Sequence, residues 1–257
     1  MSRIDETFQT LKREKRKALV GFLVAGDPDM TTSEQQCREA LSNGVDILEL
    51  GVPFSDPTAD GPVIQAAGRR SLAAGTTVAK VLALAKRLRS DSAAPIVVFG
   101  YVNPFFSYGY ERLAKDAAAA GVDAFLVVDL PFEESAEFKV HLEGVGLDFI
   151  TLIAPTTPAS RLKFILKGAR GFVYYIMVKG VTGARAEVSA DVSTHLGRLK
   201  KHTRLPVAAG FGVSNGPQAR EAARHAEGVV VGSALVKAAS EGRLEALVKE
   251  IRKALDR

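Results

Sequence analysis

Two carboxylates in the segment LELGVPFSDPTADG, residues 48–61, are the residues best placed to do chemistry. The apolar run 45–50 reads as a buried strand, and it carries Glu49 next to its carboxyl end. A Pro/Gly/Asp-rich loop follows and ends in Asp60. A carboxylate inside a strand core costs several kcal/mol of desolvation unless it is paired, neutralised or used. One such acid at a strand end, with a second on the next loop, is therefore a candidate acid/base pair. Two glycine-rich turns, AGFGVS at 209–214 and VGSA at 231–234, are candidates for the opposite end of a substrate. Glycines let backbone N–H groups approach an anion, and a following helix N-terminus adds its dipole.

The elements that must position these residues repeat along the chain. Eight short apolar runs, at 19–24, 45–50, 96–100, 124–128, 149–153, 171–176, 206–209 and 228–231, read as strands. Segments of helical period alternate with them, at 32–42, 78–89, 111–119, 134–143, 159–166, 192–201, 217–224 and 243–255. Alternation of this kind implies parallel pairing through right-handed crossovers. Eight units predict an α/β fold, a (β/α)8 TIM barrel spanning 1–257 as a single domain. A helix at 4–12 is expected to cover its lower end, and the long interval after strand two holds an extra apolar segment, 63–72.

In such a barrel the active site forms where the strands end. All four histidines (141, 195, 202 and 225) fall on helices or helix ends, which argues against histidine as base or metal ligand. Turn formation explains Asp27, whereas Asp129 reads equally well as a polar support near substrate or as a loop anchor. The loop at 179–187 is long and polar, as a lid or as an ordinary connection. The single cysteine excludes a disulfide framework and suits a reducing cytoplasm. A net charge of +5 suits an enzyme that attracts a phosphorylated anion. The basic cluster 12–17 has no interleaved aromatics, so it reads as a solvated helix end and not a nucleic-acid site. No apolar run is long enough to suggest a signal peptide or a membrane span.

Together these motifs resemble the tryptophan synthase alpha-subunit family, essentially end to end. The resemblance rests on GDP at 26–28, the block 48–61 continued by PVIQ, YVNP at 101–104, VDLP at 128–131 and APTT at 154–157. It continues through GVTG at 180–183, GFG at 210–212 and GS at 232–233. Thr58 departs from a usually apolar position, and Met177-Val178-Lys179 departs from a usual Ser/Arg-containing start of the sixth loop. The resemblance implies retro-aldol cleavage of indole-3-glycerol phosphate to indole and glyceraldehyde 3-phosphate. Glu49 would be the acid at indole C3 and the base at the side-chain hydroxyl. Asp60, on a loop open to polar partners, would stay ionised and stabilise N1–H. Thr182 would orient Asp60, Tyr174 would lie beside Glu49, and Phe22 and Tyr101 would line the indole pocket. Gly183, Phe211, Gly212, Gly232 and the Ser233 hydroxyl would hold the phosphate.

The resemblance further implies that this subunit needs no metal or organic cofactor. Pyridoxal phosphate would belong to a beta partner that receives indole through a tunnel in an α2β2 assembly. Pro53, Phe54, Asp56, Pro57 and residues 103–106 would face that partner, with Phe105 and Phe106 either exposed to it or packed under the barrel rim. Competing readings are another phosphate-binding barrel such as a sugar-phosphate isomerase, a stand-alone lyase, and a non-catalytic regulatory subunit. The presence of both acids with intact phosphate turns argues against the last.

Overall fold

The computed structural model describes residues 1–176, 191–210 and 212–256. Nine strand segments form one parallel sheet: β1 (Ala18–Val24), β2 (Ile47–Gly51), β3 (Ile96–Gly100), β4 (Ala124–Val127), β5 (Asp148–Phe149), β6 (Thr151–Ile153), β7 (Val173–Ile176), β8 (Val207–Gly210) and β9 (Gly228–Val231). Their order is β5-β4-β3-β2-β1-β9-β8-β7-β6. β5 and β6 are two halves of one barrel strand. The first half pairs with β4 and the second with β7, and between them Ile150 N–H donates to Phe125 O at 2.8 Å. That strand closes the sheet into the eight-stranded barrel that the sequence periodicity implies.

Successive strand side chains point to opposite faces, and both faces are covered here. Leu19, Leu23, Leu48, Leu50, Ile96 and Val98 point outward into the helical layer. Val20, Phe22, Ile47, Val97, Phe99 and Leu126 point into the lumen. Glu49 stands in register with Phe22 and Val97, two residues after inward-facing Ile47. It is thus a carboxylate in a position that the rest of the barrel fills with hydrocarbon.

The lower end is plugged by α1 (Arg3–Arg13), opened by a capping box between Ser2 and Asp5. Ile4, Phe8 and Leu11 recur at helical spacing on its buried face, and Phe8 meets Phe172 ring to ring at 5.8 Å. The helices α2 (Met30–Ser42), α3 (Pro62–Ala73), α4 (Val78–Arg89), α5 (Val102–Tyr108), α6 (Tyr110–Ala119), α7 (Ala136–Gly144) and α8 (Ala159–Leu166) follow. After β7 come α9 (Asp191–Lys200), α10 (Gly216–Ala223), α11 (Ser233–Ser240) and α12 (Leu244–Leu255).

Two of these helices, α5 and α11, are not foreshadowed by a helical period. In α5, VNPFFSY lacks polar spacing, and Pro104 is tolerated only because it lies in the first turn. The small-residue stretch SALVKAAS of α11 packs on β1 and α3 and buries Leu235, Val236 and Ala238. The extra apolar segment after strand two is α3, with Pro62 in its first turn.

Candidate active site

Glu49 is 1% exposed, and its Oε1 has no hydrogen-bond partner among the described residues. Burial alone pushes its carboxyl up to about 8. Across the lumen Tyr174, on β7, is also buried, and burial together with the Glu49 charge holds its phenol protonated. Two glycines in the strand motifs answer to this packing. A Cβ on Gly51 would stand 2.5 Å from Phe22 Cζ, and one on Gly210 would stand 2.6 Å from Tyr174 Oη. Phe22 in turn meets Phe99 edge to face, centroids 4.9 Å apart at 71°.

Asp60 is only 8% exposed, so the expected open, polar setting is not what the chain builds. Desolvation raises its carboxyl to about 6, against the downward pull of a hydrogen bond with Tyr101. The Tyr101 hydroxyl also accepts the Ala59 N–H at 3.0 Å, and the Gln65 side-chain amide donates to Asp60 O at 2.9 Å. Phe54 packs on the Tyr101 ring at 5.2 Å. The loop that delivers Asp60 is therefore stapled to Tyr101 at one end and to α3 at the other.

Phe22, Glu49, Asp60, Tyr174, Gly212, Gly232 and Ser233 wall a single cavity of about 550 Å³. The acids lie toward β1, β2 and the loop before α3, and the glycine turns lie toward α11. Gly232 caps α11 without a side-chain hydrogen bond, and the first N–H groups of a helix have no intrahelical acceptor. An anion at this end would meet those N–H groups and the Ser233 hydroxyl.

Other expected site residues fall elsewhere. Tyr101 does not wall the main cavity; it lines a small recess with Phe54 behind Asp60. Asp129 is exposed and accepts the Val102 N–H at 2.8 Å, so it anchors the start of α5. Thr182, Gly183 and Phe211 lie outside the described residues, as do Met177, Val178, Lys179 and the loop 179–187. Of the two readings for this pair, Phe105 takes the packed one, fully buried against Phe125 and Phe138 and not exposed toward a partner, whereas Phe106 is 64% exposed. Sequence reasoning missed Phe99, Ile64, Val128 and Lys237 as cavity walls. Phe99 was within reach of a period-two argument, two residues after inward-facing Val97.

Among the described residues, no three His, Cys, Asp or Glu side chains converge as a metal site would require. None of the described helices is long and apolar enough to cross a membrane. A parallel barrel whose end cavity is walled by two unlike carboxylates and by the start of a helix has the architecture of a barrel enzyme.

The family pattern of the tryptophan synthase alpha chain matches residues 8–256, and the chain belongs to that family. It is 52% identical to the tryptophan synthase alpha chain of Citrifermentans bemidjiense over 92% of this chain and 89% of that one. With the alpha chain of Laribacter hongkongensis it shares 46% identity over 100% of both. The fold superimposes on Mycobacterium tuberculosis tryptophan synthase with a TM-score of 0.94 at 38% identity, covering 100% of this chain and 99% of that chain. Against tryptophan synthase subunit alpha from Legionella pneumophila str. Paris the TM-score is 0.90 at 34% identity, with 100% and 99% covered. The chain is accordingly a lyase of tryptophan biosynthesis, cleaving indole-3-glycerol phosphate to indole and glyceraldehyde 3-phosphate, and it works with a beta partner.

Proposed function

We propose that Glu49 carries the proton transfers of this cleavage and that Asp60 stabilises the charge they create. The observation that supports this division is the contrast between two carboxyls facing one cavity, Glu49 at about 8 and Asp60 at about 6. At pH 7 the first is mostly a carboxylic acid and the second mostly a carboxylate, as an acid and a charge stabiliser must be.

Glu49 gives its proton to indole C3, which leaves the ring cationic at N1. Asp60 accepts a hydrogen bond from N1–H and offsets that charge. The Glu49 carboxylate then removes the proton of the side-chain hydroxyl. The bond between C3 and the glycerol carbon breaks, its electrons return to the ring, and indole and the aldehyde separate. One proton leaves Glu49 and one returns, so the residue is regenerated. What the chain supplies to the bond cleavage is proton transfer and charge stabilisation, which needs no cofactor in this chain.

The phosphate lies at Gly212, Gly232 and Ser233, with Gly183 and Phe211 carried over from the family. Thr182 orients Asp60. Tyr101 steadies Asp60 from behind and does not touch the ring, and Asp129 anchors α5. The working complex is an α2β2 assembly in the cytoplasm, with pyridoxal phosphate in the beta subunit and indole passing to it through a tunnel. Exposed Asp56, Asn103 and Phe106 face that subunit.

The test is indole release from indole-3-glycerol phosphate, with and without beta. Glu49→Gln should abolish release yet retain substrate binding, and Asp60→Asn should lose less. Substantial turnover by Glu49→Gln overturns the assignment.

A further inference from the structure

The groups assigned to the phosphate so far are neutral: backbone amides and one hydroxyl. A phosphate monoester carries close to two negative charges at pH 7. The same cavity is walled by two cations, Lys237 and Arg243. Lys237 follows Ser233 by four residues, so the two share one face of α11. Ala234 and Ala238 wall the cavity too, which identifies that face as the one turned toward it. The Lys237 side chain is largely exposed and its ammonium stands on the Glu241 side, one turn away from Ser233, so its flexible stem would swing back along this face to reach the start of α11.

The ammonium of Lys237 is loosely held. Its nearest acid, Glu241, stands 3.9 Å away. That carboxylate is already engaged by Arg243, whose Nε and Nη2 both donate to its Oε2, and this pairing holds the Glu241 carboxyl below its usual range. Arg243 is thus spent on Glu241, and Lys237 is left with charge to give. A lysine on a flexible stem suits a phosphate as a point charge. The walls of the cavity are mostly apolar, with Glu49 and Asp60 as its two acids and Lys237 one turn along α11 from Ser233. A substrate with a neutral ring and an anionic tail can enter in only one favourable orientation.

We propose that Lys237 is a substrate-binding residue, whose ammonium pairs with the phosphate held at the start of α11 and orients the substrate in the cavity. This rests on the reading that the phosphate sits at Gly232 and Ser233.

The test compares wild type, Lys237→Gln and Lys237→Arg, alone and with beta. For Lys237→Gln, KM for indole-3-glycerol phosphate and the inhibition constant of glycerol 3-phosphate should both rise roughly five- to tenfold, the net scale of one hydrogen bond made by a solvent-exposed side chain, with kcat falling far less. Inhibition by indole, which has no phosphate, should not change, and Lys237→Arg should restore most of the loss. Unchanged glycerol 3-phosphate inhibition, or equal weakening toward indole, overturns the assignment. If wild type neither cleaves the substrate nor is inhibited by glycerol 3-phosphate, the phosphate reading itself fails. A wild type that does both beside an unaffected Lys237→Gln overturns Lys237 alone.

Discussion

Glu49 and Asp60 differ by environment more than by chemical type, and pH should expose the difference. With Glu49 near 8, kcat is expected to fall as pH rises past that value, because the acid that protonates C3 is lost. The acid side is less diagnostic. Asp60 near 6 overlaps the substrate phosphate, whose second ionisation also lies near 6. A pH series of kcat under saturating substrate therefore tests the alkaline limb, and an activity still rising at pH 9 contradicts the role. The same raised carboxyl makes a stability prediction. Folding raises the Glu49 carboxyl from 4.5 to about 8, so the native state holds a proton that the unfolded chain releases. Its stabilising share is complete below 4.5, declines as pH rises, and is gone above about 8. Glu49→Gln, which has nothing to ionise, should gain stability relative to wild type between pH 5 and pH 9, by on the order of a few kcal/mol. Urea melts at the two pH values measure it, and a constant difference refutes it. Of these two residues the sequence alone reveals the pair and the buried setting of Glu49. It does not reveal the burial of Asp60, because a loop rich in Pro, Gly and Asp gives no period from which a side chain's direction follows.

At the scale of elements, what could be read in advance depended on whether a repeat marked the element. β1 to β4 and the helices α2, α4 and α8 announce themselves as apolar runs or helical stripes. α5 and α11 do not, since one is short and aromatic and the other is almost uniformly small or apolar. Both matter to the site, because α11 brings Ser233 and Lys237 and α5 begins at the residue that holds Asp60. The contacts of Tyr101 and Asp129 were hidden for a related reason: both sit where a strand has just ended, and alternation no longer says which way they point, while Phe105 lies within the short α5, which has no period to read. Glycines in the strand motifs are more legible than that, once the packing is known. Gly51 closes β2 beneath the Phe22 ring, where a Cβ would come 2.5 Å from Cζ and 2.7 Å from Cε2. Gly51→Ala is therefore expected to push Phe22 off Phe99, costing about 1–3 kcal/mol of stability. It should also weaken inhibition by indole more than inhibition by glycerol 3-phosphate, since Phe22 stands in register with Glu49 and the displaced edge of its ring is the one beside Gly51. Equal effects on both ligands would place the strain elsewhere.

Across the whole molecule, the edge proposed to face the partner and the cavity are joined by a short chain of contacts. Phe106 is exposed on α5, resting edge-on against Tyr110 with centroids 5.8 Å apart. The N-cap of α5 is Tyr101, the residue whose hydroxyl holds Ala59 and Asp60 and whose ring carries Phe54. Asp129 pins the same helix start through Val102. A beta subunit that presses on Phe106 and Asn103 thus acts on α5, and a shift of α5 moves the group that sets Asp60. Docking has a differential effect on catalysis only if it favours one arrangement of this helix over another. Cleavage should therefore be faster with beta than without it. Phe106→Ala should weaken beta binding while the isolated chain releases indole at its former rate. Tyr101→Phe keeps the ring on Phe54 but removes the link to Asp60, so it should lower isolated turnover and also shrink the factor by which beta stimulates it. Steady-state indole release from wild type and both variants, across a titration of beta, separates the cases. If stimulation by beta is as large in Tyr101→Phe as in wild type, α5 is not the route. If the isolated wild-type chain already matches the complex, Asp60 is in place before the partner arrives, and the stapled loop serves catalysis alone.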